Sequence, residues 1–259
     1  MRGVSNLRLT VDNVNMIYHT MSTETDALKD ISFFVEKNDF VSIVGPSGCG
    51  KSTLLNIISG LQKPSSGSVY IDDTLISDSS HMLGYMFQKD HLFDWLTVWK
   101  NVTLGLKIQK NKDNYNIKLA EELLKKYDLW QFKDMFPRQL SGGMRQRVAL
   151  IRTLVLNPQI LLLDEPFSAL DYQTRLNISD EIYKIIKNEN KTVIMVTHDI
   201  SEAVSLSNKI VILSSRPARI REIIDVEFPT EYSTPLRKRE APNFKDYFNI
   251  IWKELNTNE

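Results

Sequence analysis

One short motif constrains the fold of this sequence more than any other feature. Residues 45–52 match the pattern G-x-x-x-x-G-K-[ST], which forms a loop that holds phosphate groups. A short apolar run at residues 40–44 precedes it, as expected of a strand buried on both faces. Residues 51–60 then place leucine and isoleucine at helical spacing before a glycine. A strand, a glycine-rich loop and a helix in this order predict an α/β core that binds a nucleotide.

The loop residues have distinct chemical roles in this interpretation. Glycines let successive backbone N–H groups point inward, so that they form a concave cradle for an anion at the start of a helix. Lys51 supplies a positive charge for the terminal phosphates, and Ser52 supplies a hydroxyl ligand for Mg²⁺. An accidental glycine-rich turn is the alternative, which the flanking strand and helix disfavour. The predicted phosphate-binding residues are Gly45, Pro46, Ser47, Gly48, Cys49, Gly50, Lys51, Ser52 and Thr53.

Paired carboxylates follow a second apolar run, at residues 160–163. At the carboxyl end of a parallel strand, Asp164 can reach the shell of a magnesium ion. Glu165 can there orient and deprotonate a water molecule aimed at the terminal phosphate. Ordinary solvation of both carboxylates at a strand end is the alternative. Their occurrence beside a phosphate loop favours the catalytic role.

A Ser-Gly-Gly sequence at residues 141–143 marks a second candidate anion site. It is expected to begin a helix, where free backbone N–H groups and the helix dipole favour a negative charge. Simple capping by Ser141 is the alternative, and it would be preferred if the motif stood alone. Because the chain also carries the phosphate loop, one nucleotide could join both sites if two copies met head to tail. Ser141, Gly142 and Gly143 would then complete the nucleotide site of a second copy.

Hydrophobic periodicity divides the chain into a core and an insert. Stretches typical of antiparallel strands lie at residues 7–18, 28–35 and 69–72. Amphipathic stretches that predict helices lie at residues 98–109, 117–127 and 144–156. From residue 160 onward strands and helices alternate, which predicts a parallel sheet with crossover helices. We expect one domain, with a core and β-subdomain at residues 1–88 and 158–215, a helical subdomain at 89–157 and a C-terminal extension at 216–259.

Composition excludes several other classes. The chain has 259 residues, and 32 Lys and Arg balance 32 Asp and Glu, so its overall field gives no case for binding nucleic acid. Cys49 is the only cysteine, which excludes an intramolecular disulfide framework and a multi-cysteine metal site. No run approaches the roughly 18 consecutive apolar residues of a membrane-spanning helix. We expect no export signal at residues 1–13.

The phosphate loop, Leu-Ser-Gly-Gly at residues 140–143 and Leu-Leu-Leu-Asp-Glu-Pro at residues 161–166 resemble the ATP-binding subunit of ATP-binding cassette (ABC) transporters. The resemblance covers nearly the whole chain. It implies a P-loop NTPase fold of the ABC type, with a RecA-like parallel-sheet core, an N-terminal antiparallel β-subdomain and an inserted α-helical subdomain. It also implies an ATPase that binds ATP and Mg²⁺ in a head-to-tail dimer.

The same resemblance gives roles to residues that would be uninformative alone. Gln88 matches the glutamine whose amide contacts Mg²⁺ and the attacking water, and His198 matches the histidine that contacts the γ-phosphate. Tyr18 matches the aromatic residue that stacks on adenine, although packing at a strand end is the alternative. The residues 168–171 match the loop that crosses the dimer interface. The implied metal ligands are Ser52, Gln88 and Asp164, and the implied catalytic residues are Lys51, Glu165 and His198.

A single cassette without membrane helices resembles the energising subunit of a multi-subunit transporter, peripheral at the cytoplasmic face of the membrane. Its implied partners are a second copy of itself, integral membrane permease subunits and, indirectly, a substrate-binding protein. Segments at residues 93–98, 213–220 and 251–255 resemble the nitrate/sulfonate/taurine importer group, which includes importers of pyrimidine precursors of thiamine. The alternative is a soluble, non-transport ABC ATPase that drives assembly of a cytosolic complex.

Two further segments carry open interpretations. Leu92, Phe93 and Trp95 could grip a short helix of a membrane partner, or they could fill the core of the helical subdomain. In the extension, we expect a solvated basic turn at residues 237–239. A final helix is expected at residues 244–255, with Phe248, Ile251, Trp252 and Leu255 on its apolar side.

Overall fold

The chain contains both strands and helices, which alternate regularly from residue 160 to residue 213. The computed structural model describes residues 8–19, 23–109 and 114–257. The strands are β1 (Arg8–His19), β2 (Glu24–Glu36), β3 (Phe40–Val44), β4 (Ser66–Ile71), β5 (Thr74–Leu75), β6 (Leu83–Met86), β7 (Ile160–Asp164), β8 (Thr192–Val196), β9 (Lys209–Leu213) and β10 (Ile220–Asp225). The α-helices are α1 (Lys51–Ile58), α2 (Ile76–Ser79), α3 (Val98–Val102), α4 (Leu104–Ile108), α5 (Asn114–Lys126), α6 (Gly142–Leu154), α7 (Tyr172–Asn188), α8 (Ile200–Leu206), α9 (Pro235–Lys238) and α10 (Phe244–Asn256). Among these residues, no helix is long and apolar enough to cross a bilayer.

The first sheet is antiparallel and has the strand order β2-β1-β4-β5. Leu9 of β1 lies opposite Val35 of β2 on one side and Ile71 of β4 on the other. Leu9 and Val11 are buried, and both point to the same face because side chains alternate along a strand. One face of this sheet therefore covers the core while the other meets solvent, which confirms the predicted antiparallel strands.

The second sheet has the order β10-β9-β3-β8-β7-β6, and its strands are parallel except for β10. Successive residues of β7 pack on opposite faces. Leu161 and Leu163 contact the cluster formed with the helical insert, whereas Ile160 and Leu162 contact the cluster that holds α1 and the first sheet. Burial on both faces explains the unbroken apolar runs and confirms the α/β fold. The residues that follow β3, β6, β7 and β8 meet at one edge of this sheet.

The helical insert differs from its predicted form at one point. The prediction of one continuous helix at residues 98–109 is wrong, because the helix is interrupted at Thr103, between α3 and α4. The Thr103 hydroxyl donates a hydrogen bond to the Trp99 carbonyl oxygen at 2.8 Å. A threonine that bonds the carbonyl four residues earlier bends a helix, and Gly105, a poor helix former, lies two residues further on.

The C-terminal segment packs against α8 and β9 through α10. Ile251 is fully buried in a cluster with Val204 and Ile212. The predicted burial of Trp252 is wrong, since this side chain is 56% exposed. Its ring instead stacks on Phe248, with the ring centroids 6.2 Å apart. The apolar face of α10 is therefore narrower than its sequence pattern indicates.

The basic turn at residues 237–239 is also less solvated than predicted. The Lys238 ammonium lies over the rings of Tyr183 and Phe228, 5.1 and 5.6 Å from their centroids. Burial, with a smaller effect of nearby Lys187, lowers the pKa of Lys238 to about 8. The expectation of a fully solvated turn is wrong for Lys238, because α9 packs its stem against α7.

Candidate active site

The phosphate loop connects the carboxyl end of β3 to the first turn of α1, as the sequence predicts. Beside it lies an open cavity of about 520 Å³. Side chains or backbone from several elements line this cavity: Ser47, Gly48, Gly50, Lys51, Ser52, Thr53, Glu165, His198 and Arg216. The sheet edge therefore brings most of the predicted phosphate-binding residues together with all three predicted catalytic residues, Lys51, Glu165 and His198.

The conformation of the loop requires glycine at Gly50. Its φ angle is 125°, a region that side chains with a Cβ rarely adopt. A Cβ there would lie 2.9 Å from Leu28 Cδ2 and 3.2 Å from the Ala27 carbonyl oxygen. Because β2 packs so closely under the loop, Gly50 can precede α1 directly and leave the first N–H groups of the helix open toward the cavity.

Lys51 is the first residue of α1 and is only 7% exposed. Its ammonium donates hydrogen bonds to the carbonyl oxygens of Gly45 and Pro46, at 2.8 and 2.9 Å. Within the described part of the chain, no carboxylate forms an ion pair with this ammonium. A buried cation without an anionic partner fits a site whose missing anion is a phosphate group.

Oxygen donors for a cation meet beside the loop. The Ser52 hydroxyl donates to Asp164 Oδ1 at 3.3 Å, and the Tyr85 hydroxyl donates to Asp164 Oδ2 at 3.3 Å. Burial raises the pKa of Asp164, an effect that the hydroxyls of Tyr85 and Ser52 oppose. Hydroxyl and carboxylate oxygens are the ligands that Mg²⁺ prefers, so Ser52 and Asp164 fit the predicted metal site. In the described residues, no group of three or more His, Cys, Asp or Glu forms a separate metal site.

Glu165, the predicted general base, lies beside His198 and Gln88. Its Oε2 is 3.2 Å from His198 Nδ1, and the Gln88 side-chain nitrogen donates to the same oxygen at 3.1 Å. Gln88 also donates to the Ser168 hydroxyl at 3.3 Å, so the structure brings it to Glu165. The φ angle of Glu165 is 44°, a strained value for a residue with a side chain. Such strain often occurs at functional sites, where the surrounding structure enforces it.

Two other predicted residues lie at the margin of the site. The hydroxyls of Tyr18 and Thr53 are 3.1 Å apart, and Gln62 also donates to the Tyr18 hydroxyl, at 3.1 Å. Tyr18 is 37% exposed, so its ring remains accessible next to the loop. Cys49 is buried, and burial raises the pKa of its thiol. A buried thiol held in its neutral form is unreactive, which agrees with a packing role for Cys49.

The Ser-Gly-Gly sequence lies in a second cavity, of about 500 Å³, which shares no lining residue with the first in the described chain. Ser141 is the N-cap of α6, and its hydroxyl accepts a hydrogen bond from the Met144 backbone N–H at 3.3 Å. Ser141 is exposed, Gly142 is half-buried and Gly143 is buried. Within one chain, the structure therefore does not bring Ser141, Gly142 and Gly143 to the phosphate loop.

Close packing at Gly143 leads to a stability prediction. A Cβ at Gly143 would lie 2.2 Å from Ile178 Cδ1, whereas a Cβ at Gly142 would lie 3.3 Å from Leu170 Cδ2. Gly143→Ala should therefore lower the free energy of unfolding by about 1–3 kcal/mol, the usual cost of overpacking. Urea unfolding should show a smaller change for the matched control Gly142→Ala. Equal stability of Gly143→Ala and the wild type would contradict the packing.

Arg175 contacts Leu170, which lines the second cavity, and a residue next to His198, which lines the first. Its guanidinium donates to the Leu170 carbonyl oxygen at 3.0 Å and pairs with Asp199, the residue after His198, at 3.4 Å. Sequence reasoning did not identify Arg175, Tyr85 or Arg216 as parts of the site. The first two lie within predicted elements and follow no motif. Arg216 lies in a segment that resembles an importer group, and no local sequence pattern places it beside the phosphate loop.

Comparisons with known proteins agree with this geometry. The family model described as ABC transporter matches residues 28–168. The uncharacterized ABC transporter ATP-binding protein YtlC of Bacillus subtilis is 45% identical over 251 residues, which cover 97% of this chain and 96% of YtlC. The aliphatic sulfonates import ATP-binding protein SsuB of Bacillus cereus is 41% identical over 255 residues, which cover 96% of this chain and 100% of SsuB.

A solved structure is similar over most of the chain. It is described as the dimeric structure of a post-hydrolysis state of the ATP-binding cassette MJ0796 bound to ADP and Pi. The TM-score is 0.70 and the sequence identity 35%, with 85% of this chain and 100% of that chain covered.

Proposed function

Since this chain belongs to the ABC transporter family, as an ATP-binding subunit, we propose that it hydrolyses ATP to drive a bacterial importer. ATP hydrolysis itself follows from family membership. The observation that carries the assignment is the sheet edge where the phosphate loop, Glu165 and His198 line one cavity and where Ser52 of the loop bonds Asp164.

The cavity residues have different roles in phosphoryl transfer. Backbone N–H groups of the loop and the Lys51 ammonium hold the phosphates of ATP and offset their charge. Ser52 and Asp164 would hold a Mg²⁺ ion, which would supply positive charge to offset that of the phosphate oxygens. Tyr18, exposed beside Thr53, supplies a ring on which adenine stacks.

Glu165 is the base that orients and deprotonates the attacking water. Its carboxylate already lies within hydrogen-bond distance of His198 and Gln88. The histidine and the glutamine both hold Oε2 of the carboxylate, and the histidine reaches toward the γ-phosphate. Because positioning supplies most of the rate in phosphoryl transfer, this fixed geometry matters as much as the proton acceptor itself.

A second copy completes the site in this proposal. Two chains meet head to tail, and the Ser141–Gly143 turn of each closes over ATP in the loop cavity of the other. The free N–H groups at the start of α6 suit the phosphate charge, and no described residue lines both cavities of one chain. MJ0796 is dimeric with ADP and Pi bound, which supports such a pairing.

The membrane partners are expected to dock beside Gln88. Trp95 is 72% exposed and Phe93 is 37% exposed, and their ring centroids are 5.0 Å apart. Leu92 is buried in the core of the helical insert. Each of the two open interpretations therefore applies to different residues. Leu92 fills the core, whereas Phe93 and Trp95 form a surface aromatic pair that a short helix of a permease subunit could contact.

Truncation of the aromatic pair tests this docking surface. Trp95→Ala or Phe93→Ala should reduce co-purification with the permease subunits by roughly tenfold, because aromatic anchors dominate interface energies. Binding of ATP by the isolated chain should not change. Trp252→Ala, at another exposed tryptophan, on α10, is the matched control and should assemble normally. Complexes of Trp95→Ala and Phe93→Ala that form as well as wild type would contradict the docking surface.

The cargo is proposed to be a sulfonate-type anion, delivered by a substrate-binding protein outside the cell. This proposal rests on the similarity to SsuB, since an ATPase subunit at the cytoplasmic face does not touch the cargo. Purification of the tagged chain from membranes in mild detergent, with identification of the co-purifying subunits, tests it. A permease and a sulfonate-binding protein are expected. Recovery of a cytosolic assembly complex alone would overturn the importer assignment.

A further inference from the structure

Arg216 lines the phosphate cavity and has no part in the mechanism above. It lies in the turn between β9 and β10, far from the loop in sequence, and its side chain is exposed. One nitrogen of its guanidinium, Nη2, donates a hydrogen bond to the Gly48 carbonyl oxygen at 2.9 Å. No other described residue accepts a hydrogen bond from this guanidinium, so most of its donors are open to the cavity.

The fold fixes the place of this turn relative to the phosphate loop. The Ala218 N–H donates to the Ala27 carbonyl oxygen at 3.0 Å, and the Lys29 N–H donates to the Ala218 carbonyl oxygen at 2.9 Å. The intervening Leu28 lies directly under Gly50. The Arg216 turn, β2 and the phosphate loop are therefore one packed unit, and Arg216 is positioned without help from a ligand.

The charges of the residues that line the cavity indicate a function for Arg216. Lys51 and Arg216 are the permanent cations among the lining residues, while Glu165 is an anion that faces His198. We propose that Arg216 is a further phosphate-binding residue, which supplies charged hydrogen bonds to ATP from the side of the cavity where it contacts Gly48. This inference rests on the proposed function, since it takes ATP as the occupant of the cavity. A planar guanidinium suits this task, because it binds phosphate oxygens in a fixed fork geometry.

A purely structural role of Arg216 would tolerate substitutions that phosphate binding would not. If Arg216 only held Gly48, any side chain that could donate to the carbonyl oxygen would serve. Arg216→Gln keeps such a donor and removes the charge, whereas Arg216→Lys keeps both charge and donor but loses the fork. The order of affinities among these variants therefore distinguishes phosphate binding from loop support.

The test is an equilibrium titration of the full chain with a non-hydrolysable ATP analogue and Mg²⁺. Arg216→Ala and Arg216→Gln should each weaken binding about tenfold, the usual effect of losing a hydrogen bond to a charged group. Arg216→Lys should retain intermediate affinity. Added salt should narrow the gap between wild type and Arg216→Gln, since exposed charges are screened. Arg219→Ala is the matched control, because this arginine of the same turn pairs with Asp30 at 2.8 Å outside the cavity.

The outcomes separate this inference from the proposed function. Wild-type affinity in Arg216→Gln would overturn the phosphate-binding role and leave Arg216 as a support for the loop. Wild-type affinity in Arg216→Ala would overturn both roles. Failure of the wild type and of Arg219→Ala to bind the analogue would instead refute ATP as the occupant, and with it this inference. Thermal unfolding without nucleotide should be the same for all variants.

Discussion

Glu165→Gln should bind ATP as the wild type does and hydrolyse it about 10²–10⁴ times more slowly, the usual contribution of a general base. Glutamine has the same shape as glutamate and can keep contacts with His198 and Gln88, but it cannot accept the proton of the attacking water. Phosphate release at saturating ATP measures turnover, and an equilibrium titration measures binding. Because ATP then persists in the site, gel filtration should also show more of the nucleotide-bound dimer.

The matched control for this substitution is Glu222→Gln, on the exposed β10 strand. It makes the same chemical change outside the cavity, and turnover should stay at the wild-type rate. Normal turnover in Glu165→Gln would refute Glu165 as the base. Loss of ATP binding in the same variant would place Glu165 in nucleotide binding instead.

Lys51→Ala should weaken ATP binding by about 10–100-fold, because it removes a buried ammonium and its hydrogen bonds to the phosphates, worth about 1.5–3 kcal/mol each. Turnover should fall by a further 10²–10³-fold or so, the typical loss when one group that stabilises transition-state charge is removed. Thermal unfolding offers a second measurement. ATP should raise the wild-type midpoint, since a ligand stabilises the form that binds it, and should raise that of Lys51→Ala much less.

Two further variants separate charge from packing at this position. Lys51→Met fills nearly the same volume without charge, so it should be as defective as Lys51→Ala. Lys63→Ala, at an exposed lysine outside the loop cavity, should bind ATP normally. Wild-type affinity in Lys51→Met would contradict the proposed role of the ammonium.

The core of the site could be predicted from sequence because its chemistry is local. The phosphate loop needs its glycines and its lysine within a few residues of one another. A buried strand that ends at Asp164 and is followed by Glu165 can be recognised from its apolar run and the two carboxylates alone. Parallel strands end at one sheet edge, so these segments were expected to meet. The contact of Ser52 with Asp164, 112 positions apart, follows from that topology.

The rest of the site depends on packing that no local pattern records. Arg216 reaches Gly48 across 168 positions, through a turn whose place is set by backbone hydrogen bonds to β2. Helical periodicity likewise could not show that Trp252 lies outside the core or that Thr103 interrupts a helix. The first depends on how exposed one side chain is, and the second on a side-chain hydrogen bond to the backbone. Both are set by tertiary structure.

The separation of the two cavities within one chain has a genetic consequence. In the proposed pair, each site takes its loop from one copy and its Ser-Gly-Gly turn from the other. A lesion in one loop damages one site only. When one copy carries a defective loop and the other a defective turn, both lesions fall on the same site and the second site is whole. Two different broken alleles can thus complement each other, whereas two identical ones cannot.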